Sequence, residues 1–234
     1  MNPQIQIFQD FDHAINAMKS NVLLMASLTR QNLERSMQAL LNRDIDLART
    51  VIGDDTEVDE LEVRIDHLGM DILVRFHPVA SDMRQVIVSI KMAHNLERIS
   101  DHAVNIAKRA KKLCKVSDPM EAAIVEPLYT MAENLLRDSL LSYTDGNTGL
   151  AESLKNGDSN LDRAHKEVLE LLSGRLENAG SQAENLLHLI FVARSLERIG
   201  DLAVNIGEDS VFMKEARDIR HEHRKHPTDI ASGQ

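Results

Sequence analysis

The chain contains a polar sequence that is repeated at a spacing of one hundred residues. Residues 95–107 read NLERISDHAVNIA and residues 195–207 read SLERIGDLAVNIG, so nine of the thirteen positions are identical. Only three of the seventeen preceding positions match, comparing 78–94 with 178–194. A shared helical fold needs apolar residues at spaced positions but does not need identical polar residues. The repeat therefore indicates an internal duplication, and the shared polar residues are candidates for function.

Apolar residues recur at helical spacing through the first half of the chain. They alternate between steps of three and four: Phe8, Phe11, Ile15, Met18, Val22 and Met25. Because neither Pro nor Gly occurs between Pro3 and Gly53, the pattern predicts a first helix longer than about forty residues. The Gly-Asp-Asp sequence at 53–55 is expected to end it. A second helix is predicted over 56–76, before Pro78, and a third over 81–112.

The second half repeats this plan. Asp118 is expected to be an N-cap, with Pro119 at the first helical position and Glu121 completing a capping box. Pro127 is expected to kink the fourth helix.

Glycines mark the other predicted boundaries of the second half. Gly146 and Gly149 are expected to interrupt the fourth helix, and Gly157 to close the connection that follows. A fifth helix is predicted over 160–178 and a sixth over 182–217, with a break between them at Gly180.

The fold class predicted from these elements is all-α. Six helices with short connections favour two tandem three-helix bundles related by the internal duplication. The predicted units are 1–115 and 116–220, followed by a flexible polar tail, 221–234, that contains His221, His223 and His226.

The charge and the cysteine content indicate which ligands and which cellular compartment are expected. There are 27 basic and 37 acidic residues, a net charge of −10, so extended contact with nucleic acid is disfavoured, and so is binding of free phosphate. The single cysteine, Cys114, fits a reducing compartment. The first residues do not resemble a signal peptide, and no apolar stretch of about 18 residues suggests a membrane span. We expect a cytoplasmic protein.

The repeated polar residues predict a cation site in each half. Glu97 and Asp101 lie one helical turn apart, as do Glu197 and Asp201, so each pair shares a helix face. Two carboxylates at that spacing repel each other unless a metal ion or an arginine offsets their charge. Oxygen ligands suit hard cations. The repeated arginine that follows each glutamate is expected to orient the carboxylates through salt bridges.

A family resemblance follows from these motifs. A turn with the pattern Pro-x-Ala-x-Asp-x-Arg (78–84), followed by Leu-Glu-Arg-Ile-x-Asp-x-Ala-x-Asn-Ile (96–106), resembles the PhoU family of phosphate-uptake regulators. The resemblance extends to about Asp218. It implies two three-helix bundles related by a pseudo-two-fold axis, with metal sites of one or more ions, often iron, on the Glu-x-x-x-Asp helices. In the second half the turn is replaced by other residues, including Gly180.

The resemblance also implies ligands and partners. The metal ligands it implies are Glu97, Asp101, Glu197 and Asp201, with weaker candidates at Asp59, Glu62 and Asp162. The cofactor is then a divalent or trivalent metal ion: iron, manganese, magnesium or zinc. The implied role is negative control of the phosphate-starvation response. It is exerted on the cytoplasmic components of the phosphate ABC transporter and on the sensor histidine kinase of the phosphate two-component system, with the protein peripheral to the membrane and not inserted. Long helices also allow homo-oligomerisation.

Two other functions are compatible with a helical chain of this kind. A carboxylate-bridged metal oxidoreductase on a helix bundle uses Glu-x-x-His pairs, and no Glu here is followed three residues later by His. Only aspartate variants occur: Asp10–His13, Asp162–His165 and Asp218–His221. A purely structural helical-repeat scaffold would not explain why polar residues are the repeated ones. Without a phosphate-binding glycine loop or a nucleophile elbow, an enzyme is not expected.

Overall fold

The computed structural model describes residues 3–115 and 122–220, which form six long α-helices. These are α1 (Pro3–Leu41), α2 (Ile45–Phe76), α3 (Ala80–Leu113), α4 (Glu126–Asp145), α5 (Thr148–Leu176) and α6 (Ala183–Glu215). The predicted all-α class with six helices is confirmed. The expected capping box at Asp118, Pro119 and Glu121 lies outside the described residues, as does the tail 221–234.

The helices form two bundles of three that meet along α3 and α6. Helices α1, α2 and α3 pack together in the first half, α4, α5 and α6 in the second, and α3 lies against α6. Lys91 Nζ lies 2.8 Å from Asp209 Oδ1, and the Arg109 guanidinium lies 4.4 Å from the centre of the Phe191 ring. In the duplicated numbering Lys91 corresponds to Phe191 and Arg109 corresponds to Asp209. The two contacts are therefore equivalent when the two halves of the chain are exchanged. Helices α3 and α6 are therefore antiparallel about a pseudo-two-fold axis.

The apolar stripe of the repeated motif forms the centre of the core. Leu96, Ile99, Ala103 and Ile106 are fully buried in α3, and all four of their counterparts in α6 are buried as well. Burial of such side chains contributes roughly 1.5–3 kcal/mol each before the loss of conformational entropy. The stripe fixes which face of each helix remains outside, and the shared carboxylates border it. The unit boundaries 1–115 and 116–220 stay a prediction.

The boundary between α1 and α2 lies earlier than predicted. The chain turns at 42–44, where Arg43 has a positive φ of 55° and the Asp44 side chain caps α2. Asp44 Oδ1 accepts hydrogen bonds from the backbone N–H groups of Asp46 and Leu47, at 3.0 and 2.9 Å. The expected break at 53–55 was wrong. Gly53 lies inside α2, because one glycine costs a helix only about 1 kcal/mol and tertiary packing overcomes that.

Pro127 does not kink α4. It lies in the first turn of that helix, which begins at Glu126 after a single 3-10 turn, Ala122–Val125. A first-turn residue needs no intrahelical N–H donor, so proline fits there without distortion.

Two of the predicted glycine breaks in the second half were also wrong. Gly146 ends α4 with a φ of 64°, as expected, and Asn147 caps the next helix by accepting a hydrogen bond from the Leu150 N–H. Helix α5 then continues through Gly149 and Gly157, so it begins twelve residues before the predicted start at 160. A Cβ at Gly157 would lie 2.7 Å from Leu135 Cδ2, so this glycine lets α5 approach α4 closely.

Within the described residues, no helix combines the length and apolar character needed to cross a bilayer.

Candidate functional site

The predicted acidic residues of the first half come together where α2 adjoins α3. We call this group the first patch: Asp55, Asp59 and Glu62 of α2, with His94, Glu97 and Asp101 of α3. One ligand atom each of Glu62, His94 and Glu97 lies within 4.8 Å of the others. His94 Nδ1 is 3.1 Å from Glu62 Oε1, a hydrogen bond in which the ring N–H donates. The geometry allows one ion to contact all three side chains.

Negative charge is concentrated in the first patch. Burial raises the pKa of Glu97, and the charges of Asp101 and Glu62 raise it further. Burial also raises the pKa of Asp59, with Asp55 and Asp101 adding to the effect. Each shift means that the folded chain disfavours the ionised carboxylate, and a bound cation would reverse that preference.

The second patch lies where α5 adjoins α6. It consists of Asp158, Asp162 and His165 of α5 with Glu197 and Asp201 of α6. One carboxylate oxygen each of Asp158, Asp162 and Asp201 lies within 4.8 Å of the others. Two of these residues were predicted ligands. The third, Asp158, was not.

Charge crowding is strongest at Asp158. Burial raises its pKa to about 6, and the nearby carboxylates of Asp162, Asp201 and Glu197 contribute. The pKa of His165 is lowered, mainly by burial and also by Arg194. A neutral imidazole has a free nitrogen lone pair, so His165 can serve as a metal ligand beside the carboxylates.

Two buried polar atoms of the second patch have no hydrogen-bond partner among the described residues. They are Asp158 Oδ1 and His165 Nε2. Buried polar atoms are nearly always hydrogen-bonded, and leaving one unsatisfied costs about 1–3 kcal/mol. An oxygen and a nitrogen of this kind beside other carboxylates match the ligand set of a protein-bound metal ion. The residues present therefore fit the metal that the family resemblance implies.

Arg198 partly neutralises the second patch. Its Nη1 lies 2.8 Å from Asp201 Oδ2 and its Nε lies 3.4 Å from Glu197 Oε2. The expected salt bridges of the repeated arginine are thus observed in the second half. They hold the two predicted ligands on one side of α6.

Asp55 and Asp158, which were not predicted as ligands from the sequence, correspond to each other in a second alignment of the two halves. The second helices of the two halves align at a spacing of 103, not 100: Asp55 with Asp158, Asp59 with Asp162, and Glu62 with His165. That register was hidden because Asp55 was assigned to a helix break and Asp158 to a loop. Recognising that α2 and α5 continue through their glycines would have shown the Asp-x-x-x-Asp pattern in both.

The two patches are not chemically equivalent. Ser100 in α3 corresponds to Gly200 in α6, and His94 corresponds to Arg194. Ser100 Oγ donates a hydrogen bond to Asp55, whereas a Cβ at Gly200 would lie 2.3 Å from Leu161 Cδ2. Because Leu161 of α5 packs closely against α6, this position is a glycine. The second patch therefore lacks the hydroxyl group that donates a hydrogen bond to Asp55 in the first patch.

Comparison with known proteins agrees with the motifs. A family model described as the PhoU domain matches residues 22–110 and 125–210. The chain is 34% identical over 217 residues to a phosphate-specific transport system accessory protein PhoU homolog of Pseudomonas putida, covering 92% of this chain and 84% of that protein. A Pseudomonas aeruginosa protein of the same name is 32% identical, with coverages of 92% and 89%.

Solved structures give the same result. The crystal structure of PhoU from Pseudomonas aeruginosa superposes with a TM-score of 0.85 at 30% identity, covering 88% of this chain and all of that one. A phosphate transport system regulatory protein PhoU from Streptococcus pneumoniae has a TM-score of 0.82 at 22% identity over 89% of this chain and 99% of that one, which supports the fold alone. The names of the two Pseudomonas relatives describe accessory proteins, in agreement with the prediction that the chain is not an enzyme. Since the family's domain matches both halves and the relatives align over most of its length, the chain belongs to the PhoU family.

Proposed function

We propose that the chain is a metal-binding regulator that restrains phosphate uptake and the phosphate-starvation response from the cytoplasm. The observation that carries the proposal is the pair of carboxylate patches on the duplicated helices. The relatives' names, which place those proteins with a phosphate-specific transport system, point to a transporter as the partner.

The metal sites in this proposal are the two patches. In the second patch Asp158, Asp162 and Asp201 would hold the ion, with His165 beside them. In the first, Glu62, His94 and Glu97 would do so. Candidate ions are iron, manganese, magnesium or zinc, one or more in each patch. A bound ion supplies fixed positive charge, which offsets the repulsion that raises the pKa of Asp158 and Glu97.

The proposed mechanism is a binding switch. The carboxylates of both patches would be held in one arrangement by bound metal, and the surface that they form would contact basic surfaces of the phosphate ABC transporter and of the partner sensor histidine kinase. The net charge of −10 supports attraction to basic partners. A purely structural scaffold would not require clustered carboxylates in both halves.

The experiment is partner capture in phosphate-replete cells. The variant E97A/D101A/E197A/D201A is compared with E60A/D66A/D71A/E167A, a matched control whose four acidic residues are exposed and lie outside the predicted ligand set. We expect the first variant to lose the transporter and the kinase and to derepress starvation genes, while the control behaves as the wild type. Unchanged binding and repression in the first variant would refute the switch.

A further inference from the structure

Five basic residues converge on one groove at the C-terminal end of α3. We call it the basic groove: Lys108, Arg109, Lys111, Lys112 and Lys115, with Asn105 and, from α2, Ile52. The groove encloses about 510 Å³. Lys108, Lys112 and Lys115 follow helical spacing and are exposed on one face. In a chain with a net charge of −10 this is a local reversal of sign.

The duplication shows that the fold accepts the opposite charge at two of these positions. One hundred residues later, Lys108 and Arg109 are replaced by Glu208 and Asp209, which are buried and paired with Lys155 and Lys91 at 3.3 and 2.8 Å. The four lysines of the basic groove have no such partner: within 3–115 and 122–220, none lies in an ion pair. Favourable placement near the negative end of the helix accounts for the lysines of the last turn. Lys108 lies further from that end, and its charge lowers the pKa of Asp55 against the effect of burial.

Exposed apolar side chains adjoin the basic groove. Phe191 and Leu187, one turn apart on α6, are 43% and 44% exposed. The Arg109 guanidinium lies over the Phe191 ring and contacts His188 Nδ1 at 3.4 Å, so α3 and α6 present their basic and apolar residues side by side. Lysines together with exposed Phe and Leu are typical of surfaces that lie on a bilayer.

The chemistry of the basic groove favours a bilayer over a small anion. Lysine ammonium groups are mobile point charges without the fixed fork of arginine, which suits fluid headgroups better than one shaped ligand. Backbone N–H groups at a helix N-terminus form a ready-made site for a phosphate ion, whereas α3 ends here and presents carbonyl oxygens. The carboxylates elsewhere oppose approach to an anionic surface only weakly, because salt screens charges beyond about 8 Å.

We propose that the basic groove, with Leu187 and Phe191, is a contact surface for the headgroups of anionic phospholipid. The proposal deepens the proposed function and rests on it, since a regulator of a membrane transporter works beside a bilayer. It adds a direct lipid contact at a surface that adjoins the first patch, since the charge of Lys108 is close enough to Asp55 to oppose the rise in the pKa of that carboxyl.

The test is co-sedimentation of the purified full chain with vesicles of phosphatidylcholine, with or without phosphatidylglycerol. EDTA is present, so metal cannot bridge the protein to phosphate groups, and neither transporter nor kinase is present. The variant K108E/K112E/K115E is compared with K19E/K166E/K214E, which changes the net charge equally at exposed lysines outside the groove. A third variant, L187S/F191S, keeps every cation.

We expect binding that requires phosphatidylglycerol and weakens with salt. K108E/K112E/K115E should lower it at least about tenfold, because each lysine near an anionic surface contributes substantially, whereas the control triple should lower it far less. L187S/F191S should lower it severalfold. Circular dichroism and metal content, measured on every variant, separate a folding or metal defect from lost lipid contact.

Three results would overturn the proposal. They are no binding of the wild type to phosphatidylglycerol vesicles, equal losses in the two lysine triples, and full displacement by inorganic phosphate at constant ionic strength. The last would indicate a phosphate-ion site. The co-sedimentation experiment contains neither metal nor protein partners. A negative result in it therefore does not contradict the metal switch, and a negative partner-capture result does not contradict the lipid contact.

Discussion

Ser100 Oγ donates a hydrogen bond of 3.0 Å to Asp55 Oδ1, and this pair distinguishes the first patch from the second. Ser100 is itself held by the buried Asn32, whose amide donates to Ser100 Oγ at 3.2 Å. In the second half glycine takes the place of Ser100, and the equivalent carboxylate oxygen, Asp158 Oδ1, lacks a partner among the described residues. The duplicated sites therefore differ in whether a protein group donates a hydrogen bond to this carboxylate when metal is absent.

Ser100→Ala should destabilise the protein by about 1–2 kcal/mol, because the buried Asn32 amide loses its acceptor. It should also raise the pKa of Asp55 further, since the Ser100 hydrogen bond opposes the effect of burial. Urea unfolding gives the free energy of unfolding. Ser139→Ala is the control, because that buried hydroxyl donates only to the Leu136 carbonyl of its own helix. Equal losses in the two variants would contradict the role given to Ser100.

The contribution of Asp158 to the stability of the metal-free protein should decline as pH rises from 3.8 through about 6. Burial and neighbouring carboxylates raise the pKa of Asp158, so in this window the folded state holds a proton that the unfolded state releases. Asp158→Asn removes this titration. Thermal melts in EDTA should show the variant to be more stable than the wild type at pH 7 and equal to it below pH 3.8. Parallel profiles for the two proteins would show that Asp158 is not the titrating group.

Two glycine-to-alanine substitutions should change the free energy of unfolding in opposite directions. Gly53→Ala should stabilise the chain by about 0.5–1 kcal/mol, because alanine is the better helix former and the added Cβ meets no atom within 4 Å. Gly200→Ala should destabilise it by about 1–3 kcal/mol, since its Cβ would clash with the fully buried Leu161. Urea unfolding of the pair measures both effects. A loss of stability in Gly53→Ala would mean that Gly53 does not lie within a continuous helix.

The sequence allowed the helical class to be predicted, together with four of the six residues of the first patch and three of the five residues of the second. Glu97, Asp101, Glu197 and Asp201 were predicted as ligands because polar identity survives in the duplicated motif, and that role stays a prediction. Asp158 was missed because α5 was expected to begin after it. The start of α2 was missed because the break was expected at 53–55, whereas the side chain of Asp44 caps the helix earlier.

The histidines of the patches could not be assigned from spacing. His94 and His165 come from different positions of the duplicated units, so no shared motif marks them. Their proximity to carboxylates depends on how α2 packs on α3 and α5 on α6, which periodicity does not specify. The pairing of Lys91 with Asp209 depends likewise on the crossing of α3 and α6.

The second patch should bind metal more tightly at pH 7.5 than at pH 5.5, because binding must displace a proton from Asp158, whose pKa is about 6. Competition with a chromophoric chelator measures the affinity at each pH. Asp158→Asn should bind more weakly and lose most of this dependence. A wild-type affinity independent of pH would contradict the assignment of Asp158 as a ligand.

The central claim, that the carboxylate patches hold metal, is tested most directly by elemental analysis of the chain ended after Arg220. That end removes the histidines of the tail but keeps Ile219, which is buried and accepts a hydrogen bond from Lys155. The truncated protein is analysed beside the same chain carrying E97A/D101A/E197A/D201A and beside the E60A/D66A/D71A/E167A control. The account predicts at least one equivalent of metal in the truncated protein and in the control, and little in the four-alanine variant. Negligible metal in all three, after incubation with iron, manganese, magnesium or zinc, would contradict it.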